Sequence, residues 1–342
     1  MDAPASPVGD VLSDYLERSR ARGAAFSHST ARGRWGVRFE PVAGVAVHVI
    51  VDGETWLWSD DPAAALRLAP GDVALVRGDV VHQLASAAGA SCRPLAEVTA
   101  AGPEPGSARR YAFGSGDGEE AVFCCGAYRF EGDLCDGLIA ALPPLARVRP
   151  AAGSPLRATA DLLAHEMEHE QPGQQTLLDR LLDVALIHLL REQFGDEQAH
   201  PPAWFRASSD AQVGAALQAL HGDPAHAWTV AELAAQASLS RAAFARRFTA
   251  LLGVAPLTYL ADWRMALARE RLRGGDEPLA AVAAAVGYAS EFSFAAAFKR
   301  RHGVAPGRWR VQRAAAGDED ADVNAGLAPP HATPMTGPPF SV

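Results

Sequence analysis

Ser290-Glu291-Phe292-Ser293-Phe294-Ala295-Ala296-Ala297-Phe298-Lys299-Arg300-Arg301-His302-Gly303-Val304-Ala305-Pro306 is a stretch that this chain writes twice. Fifty residues earlier, Ser240, Phe244, Phe248 and Gly253-Val254-Ala255-Pro256 hold the matching places. In both copies a serine suited to cap a helix precedes two phenylalanines one turn apart, then a glycine that ends the helix and a proline that opens the next. Apolar residues at helical spacing lead into each copy: Val230, Leu233, Ala234 and Ala237 before a turn at Ser238-Leu239, and Val282, Ala285 and Val286 before Gly287. Each copy therefore reads as a helix, a tight turn and a second helix, the unit that lays its second helix in the DNA major groove.

Working outward, Pro256 opens a longer helix through Leu272, stopped by Gly274-Gly275. About 17 helical residues span roughly 25 Å, enough to hold two readers near the roughly 34 Å separation of successive major grooves. With the phenylalanines turned inward, Arg241, Ala242, Ala245, Arg246 and Arg247 fall on or beside the outer face of the first reading helix. The second offers Glu291 and Phe292, then Ala295 and Ala296, so Lys299 and Arg300 are expected on phosphates and direct base readout is expected mostly from the first. Phe292 is expected at most to touch a thymine methyl. Charge agrees: the chain carries a formal −9, yet the segment from Phe205 to Arg313 carries +6 and the remainder −15. Thirteen of the 14 cations in that segment are arginine, whose planar fork suits phosphate and guanine.

The first 150 residues read as strands. Val45 to Val51 and Thr55 to Trp58 flank Asp52-Gly53, a hairpin signal. Pro70-Gly71-Asp72 leads into Val73 to Arg77, and Gly78-Asp79 turns the chain toward His82. Short strands so punctuated predict a small antiparallel barrel or sandwich. Leu142-Pro143-Pro144 and Pro150 to Pro155 interrupt, and helical spacing follows. A wide stripe of Leu177, Leu178, Leu181, Leu182, Ala185, Leu189 and Leu190 needs a partner, either the barrel itself or a second copy of the chain. His200-Pro201-Pro202 reads as a second linker, and the Ala-, Gly-, Pro- and Asp-rich tail after Arg313 has little to bury.

The second half resembles the AraC/XylS transcription regulators, through Trp228-Thr229-Val230-Ala231-Glu232-Leu233-Ala234, Ser240 to Phe248, and Gly287-Tyr288-Ala289-Ser290-Glu291-Phe292-Ser293-Phe294 through Phe298-Lys299-Arg300 to Gly303-Val304-Ala305-Pro306-Gly307-Arg308-Trp309-Arg310. The resemblance covers about 100 residues. Pro70-Gly71-Asp72, Arg77-Gly78-Asp79, His82, Cys125-Gly126 and Leu142-Pro143-Pro144-Leu145 resemble, more loosely, the cupin-type sensor domain of one branch of these regulators. The implied fold is α+β and multidomain: a cupin-like β-barrel sensor over 1–150, a helical linker or dimerisation segment over 151–202, an all-α double helix-turn-helix domain over 203–313, and a disordered tail over 314–342. The implied function is sequence-specific DNA binding under the control of a small-molecule or redox signal. Double-stranded DNA is the expected partner, with a homodimer partner and, for an activator, RNA polymerase.

Three constellations offer other chemistry. His165-Glu166-Met167-Glu168-His169 matches the H-E-x-x-H pattern that puts two imidazoles and a general base on one helix face, so a zinc hydrolase is one alternative. Pro172 closes that helix within a turn, however, and no third histidine follows at the expected place. His48, Glu54 and His82 partly match a metal-binding cupin set, with Ile50 where another histidine is expected; they are candidates for an effector pocket or a metal, and for a cupin-type metalloenzyme. Cys92, Cys124, Cys125 and Cys135 are candidate redox thiols, though neighbouring Cys124 and Cys125 point to opposite faces of a strand and small buried thiols are the simpler reading. No nucleophile elbow, dinucleotide fingerprint or P-loop is present, so no enzyme and no cofactor are expected beyond that metal. No apolar run reaches the roughly 18 residues of a membrane span and the amino terminus lacks a basic start, so a cytoplasmic protein is expected.

Overall fold

The computed structural model describes residues 10–18, 22–103, 110–130, 135–168, 171–195, 201–273 and 275–313; the expected tail over 314–342 lies outside them. The chain forms two compact units, Met1–Ala266 and Leu267–Val342.

The first unit opens with helix α1 (Val11–Arg18) and continues through strands β1 (Arg22–Arg34), β2 (Gly36–Phe39), β3 (Val45–Asp52), β4 (Thr55–Trp58), β5 (Leu66–Leu68), β6 (Val73–Arg77), β7 (His82–Ala85) and β8 (Arg93–Pro94). Short helix α2 (Leu95–Val98), long strand β9 (Arg110–Arg129), helix α3 (Asp136–Ala140) and strand β10 (Leu145–Val148) complete it. Among the described residues the strands make two five-stranded sheets, ordered β1-β9-β3-β6-β10 and β5-β4-β7-β2-β8. Both contribute to one core, in which Trp35, Val37, Phe39, Ile50, Leu57, Leu84 and Phe123 pack together.

The apolar run of β3 explains its place. Ala46, His48 and Ile50 alternate with Val45, Val47 and Val49, and all six are buried, so neither face can meet water and both edges are paired, to β9 and to β6. That overturns the hairpin expected at Asp52-Gly53. With both edges of β3 occupied, the chain crosses to the other sheet, where β4 pairs with β5 and β7. Gly53, at φ +72, permits the crossing, since a Cβ there would lie 2.2 Å from the Glu120 carbonyl oxygen.

Helices α4 (Pro155–Glu168) and α5 (Gln174–Gly195) cover the outer face of the first sheet. Val47, Val73 and Tyr128 meet Leu156, Leu163 and Leu189 around a small apolar crevice, and the Tyr128 hydroxyl donates to the Leu182 carbonyl at 2.6 Å. The leucine stripe divides accordingly. Leu178, Leu182, Ala185, Leu189 and Leu190 are buried, whereas Leu177 stays 40% exposed.

Helices α6 (Ala203–Ser208), α7 (Val213–Gly222), α8 (Val230–Gln236) and α9 (Arg241–Leu252) follow, and helix α10 (Pro256–Arg273) contains the division between the units. Their core includes Leu217, Leu220, Leu233, Phe244 and Phe248, all at 0% exposure. Helix α1 joins this core: Tyr15 stacks on Trp204 at 4.5 Å and tilts against His221 and Trp263, while Asp14 Oδ2 lies 3.6 Å from Nδ1 of buried His221. In the second unit α11 (Leu279–Ala285) and α12 (Glu291–His302) pack through Val282, Ala283, Phe294 and Phe298 against Trp309, which the Arg273 and Arg313 guanidinium groups flank at 5.7 Å each.

Candidate nucleic-acid interface and barrel core

Each reading helix is built as its sequence predicts. Ser240 caps α9 by accepting from the Ala243 amide at 3.3 Å, and Ser290 caps α12 by accepting from the Ser293 amide at 3.2 Å. Gly253 and Gly303 close the two helices in the left-handed region, at φ 76 and φ 79. The two copies nevertheless differ by one residue at the turn. The left-handed position before the reading helix is Ser238 (φ 52) in the first and Gly287 (φ 77) in the second, so the first helix and the turn correspond at an offset of 49, and Ala289 restores 50 at the serine caps and reading helices. Thr229 and Glu232 add a reciprocal capping box to α8, with the Thr229 amide donating to Glu232 at 2.8 Å and the Glu232 amide to Thr229 at 3.2 Å. Pro278 stands at that place in the second copy.

With Phe244 and Phe248 buried, α9 exposes Arg241, Ala242 and Arg246, and Ala245 is half-buried. Arg241 and Arg246 have no hydrogen-bond or ion-pair partner among the described residues. Arg247 is exposed as well, but it is engaged within the protein. Its guanidinium grips Asp210, Nη2 donating to Oδ2 at 2.6 Å and Nε at 3.2 Å, and the same carboxylate accepts from the Gln212 and Val213 amides at the start of α7. These bonds hold the Asp210 carboxyl down at about 2, with the Arg247 hydrogen bond as the largest cause. On α12, Glu291, Ser293, Ala296, Lys299 and Arg300 are exposed, Ala295 is half-buried, and Phe292 is 85% exposed.

In the barrel core the register of β3 on β9 places His48 opposite Cys125. His48 Nδ1 lies 2.8 Å from Cys125 Sγ and His48 Nε2 lies 2.8 Å from His82 Nε2. His82 Nδ1 is 3.3 Å from the Val80 carbonyl, which only accepts, and this fixes the protons in one direction: His82 donates from Nδ1, His48 donates from Nε2 to His82, and the Cys125 thiol donates to His48 Nδ1. A relay that spends both nitrogens of the middle ring on opposite partners does not converge on a point. Accordingly no group of three His, Cys, Asp or Glu side chains among the described residues is arranged to hold a metal ion. Phe39 stacks on His82 at 4.8 Å and seals the pair from water. Burial drives His48 well below the usual imidazole range, helped by His82, and takes His82 down to about 4.

Glu54, expected beside these histidines, is instead an exposed partner of Arg67, whose Nε donates to it at 3.0 Å. Cys125, taken from the sequence as a redox candidate, fills that place. Burial raises the thiols of Cys92, Cys124 and Cys125, with Cys124 near 12, which lowers the thiolate fraction that a redox sensor needs. Nor do they pair across the sheet. Cys92 donates to the Ala90 carbonyl at 3.3 Å and Cys135 to the Tyr15 carbonyl at 3.9 Å, and all four are thiols. His165 and Glu166 lie on α4, whereas His169 falls outside the described residues, so the H-E-x-x-H pair is not assembled within them. Among the described residues no helix is long and apolar enough to cross a membrane.

Comparison with known proteins agrees with both halves. Residues 10–195 match a family described as Cupin and residues 233–312 one described as Helix-turn-helix domain. An AraC-like transcription regulator of Streptomyces antibioticus is 34% identical over 305 residues, covering 88% of this chain and 98% of its own length. One from Streptomyces lividans is 33% identical over 306 residues, with 88% and 98% covered. The DNA-binding domain of AdpA, solved with a target DNA, is 33% identical and covers 31% of this chain and 96% of its own, with a TM-score of 0.30. Neither a cupin metalloenzyme nor an H-E-x-x-H hydrolase finds support in these relatives. With two capped reading helices behind a cupin fold, and a regulator matched over nearly its whole length, the chain belongs to the AraC-like family of DNA-binding transcription regulators.

Proposed function

We propose that the first reading helix carries most of the base recognition, with Arg241 and Arg246 addressing guanine edges while Lys299 and Arg300 hold phosphates. The observation that supports this most is that Arg241 and Arg246 stand exposed on α9 and without partners among the described residues, whereas neighbouring Arg247 is paired with Asp210. An unpaired guanidinium can make the two-pronged contact to guanine O6 and N7. On this reading 203–313 acts as the DNA-binding domain, 1–150 as the sensing barrel, and 151–202 as the linker and dimerisation segment. The barrel would shift the DNA-binding domain between states by binding a small molecule, or answering a redox signal, better in one state than in the other. The protein would act in the cytoplasm as a homodimer and touch RNA polymerase where it activates. Selection of bound duplexes from a randomised library tests the assignment. Arg246→Ala should relax preference at one or two base pairs under the first reader, by about 1–3 kcal/mol of discrimination. Lys299→Ala should weaken all sequences alike and reduce the salt slope by about one. Arg246→Ala with an unchanged preferred sequence would refute the assignment.

A further inference from the structure

Phe292 stands 85% exposed in the first turn of α12, the most exposed of the large apolar side chains among the described residues. The fold does not need it there. Phe294 and Phe298, at 0% exposure, anchor the helix, and the residue matching Phe292 in the first copy is Ala242. One turn further along α12 come Ala295 and Ala296, so the patch around the ring has no side-chain donor or acceptor one turn on from it. Glu291 precedes it, and Lys299 and Arg300 follow at the far end of the same helix.

A reading helix with this make-up meets a major groove whose one apolar feature is the thymine C5-methyl group. We propose that Phe292 is a specificity residue that reads thymine methyl groups in the half of the operator under the second helix. The two copies of the motif then read by opposite chemistry, arginine on hydrogen-bonding base edges in the first and an aromatic ring on methyl groups in the second. Basic residues on the same helix favour duplex DNA over a protein as the occupant of this patch, because Lys299 and Arg300 bring phosphates to it. The inference rests on the reading of α12 as a DNA-facing helix and assigns it a substrate chemistry.

Deoxyuridine differs from thymidine by that methyl alone. With the full chain and an operator selected from a randomised duplex library, each dT under the second helix is replaced in turn by dU. Wild-type protein should lose about fourfold in affinity at one or two of these positions, the equivalent of burying one methyl-sized group at about 0.8 kcal/mol. Phe292→Ala should lose a similar factor on the dT operator and show no further loss with dU, while Phe292→Leu should keep part of the dU penalty. No dU effect at any position, or an undiminished dU effect in Phe292→Ala, would overturn the proposal. A loss in Phe292→Ala without any dU effect would point to a wedge between base steps and overturn it equally. A chain that selects no preferred sequence would overturn both this inference and the reading beneath it, whereas a selected operator indifferent to dU overturns the inference alone.

Discussion

Acid should loosen the barrel well before it titrates the carboxylates. His82 is 2% exposed, and its imidazole is down at about 4 from an ordinary 6.5, chiefly because burial disfavours the charged ring. In the unfolded chain the ring takes its proton near 6.5, so between these values the unfolded state holds more protons. Stability is therefore complete above about pH 6.5 and falls as pH drops toward 4. Linkage over that interval gives a loss of about 2 kcal/mol between pH 7.5 and pH 5 from His82 alone. His48, which burial and His82 also drive well below the usual imidazole range, adds to it. The opening free energy of the slowest-exchanging amides of β3 and β7, measured by hydrogen exchange across that range, should fall by at least this amount. His82→Gln removes the titration, so its opening free energy should fall by roughly 2 kcal/mol less over the same interval, whatever its value at pH 7.5. An imidazole resonance of His82 that titrates near 6.5 in the folded protein, or equal pH slopes for the two proteins, would refute the reasoning.

Ser238→Gly should raise the melting temperature by a few degrees, since a left-handed non-glycine residue costs about 1–2 kcal/mol and glycine returns about 0.5–1 of that in chain entropy. A lower melting temperature in differential scanning calorimetry would contradict it. Arg247→Ala should lower the stability of the first unit slightly and leave the selected DNA sequence unchanged, in contrast to Arg246→Ala. Asp210→Asn should cost about 1–2 kcal/mol, because it weakens both that ion pair and the cap on α7; urea unfolding measures each, and an altered base preference in Arg247→Ala would count against its structural role.

The helix-turn-helix copies were legible because their signals are local: a serine cap, two phenylalanines a turn apart, a glycine and a proline all act within a dozen residues of one another. The central strands β3 and β6 were legible for the same reason. What escaped depends on partners far along the chain. Cys125 rather than Glu54 joins His48 because β3 pairs with a strand more than 70 residues later, while Glu54 lies past a crossover into the other sheet. The ion pair of Arg247 was hidden for the same reason, because its partner Asp210 lies 37 residues earlier. Strand β9 likewise pairs with β1 on both sides of the glycine- and acid-rich stretch 116–119, through Ser115 and through Glu120. The one-residue slip at Ala289 was hidden too, since matching serines and phenylalanines fix the offset at 50 and turn geometry alone reveals 49.

Tyr15 precedes the cupin strands in sequence but packs on the helices that follow them. Cutting the chain at 203 would strip that ring from the faces of Trp204 and Trp263 and open buried His221 to water. A fragment made that way would carry a greasy socket, prone to self-association and to any stray aromatic in solution. A synthetic peptide covering Val11 to Arg18, supplied in trans, should seat in the socket and quench its indole fluorescence. Helix α1 thus acts as a cork, and a fragment of the carboxy-terminal helices that keeps it should stay monomeric where one cut at 203 does not.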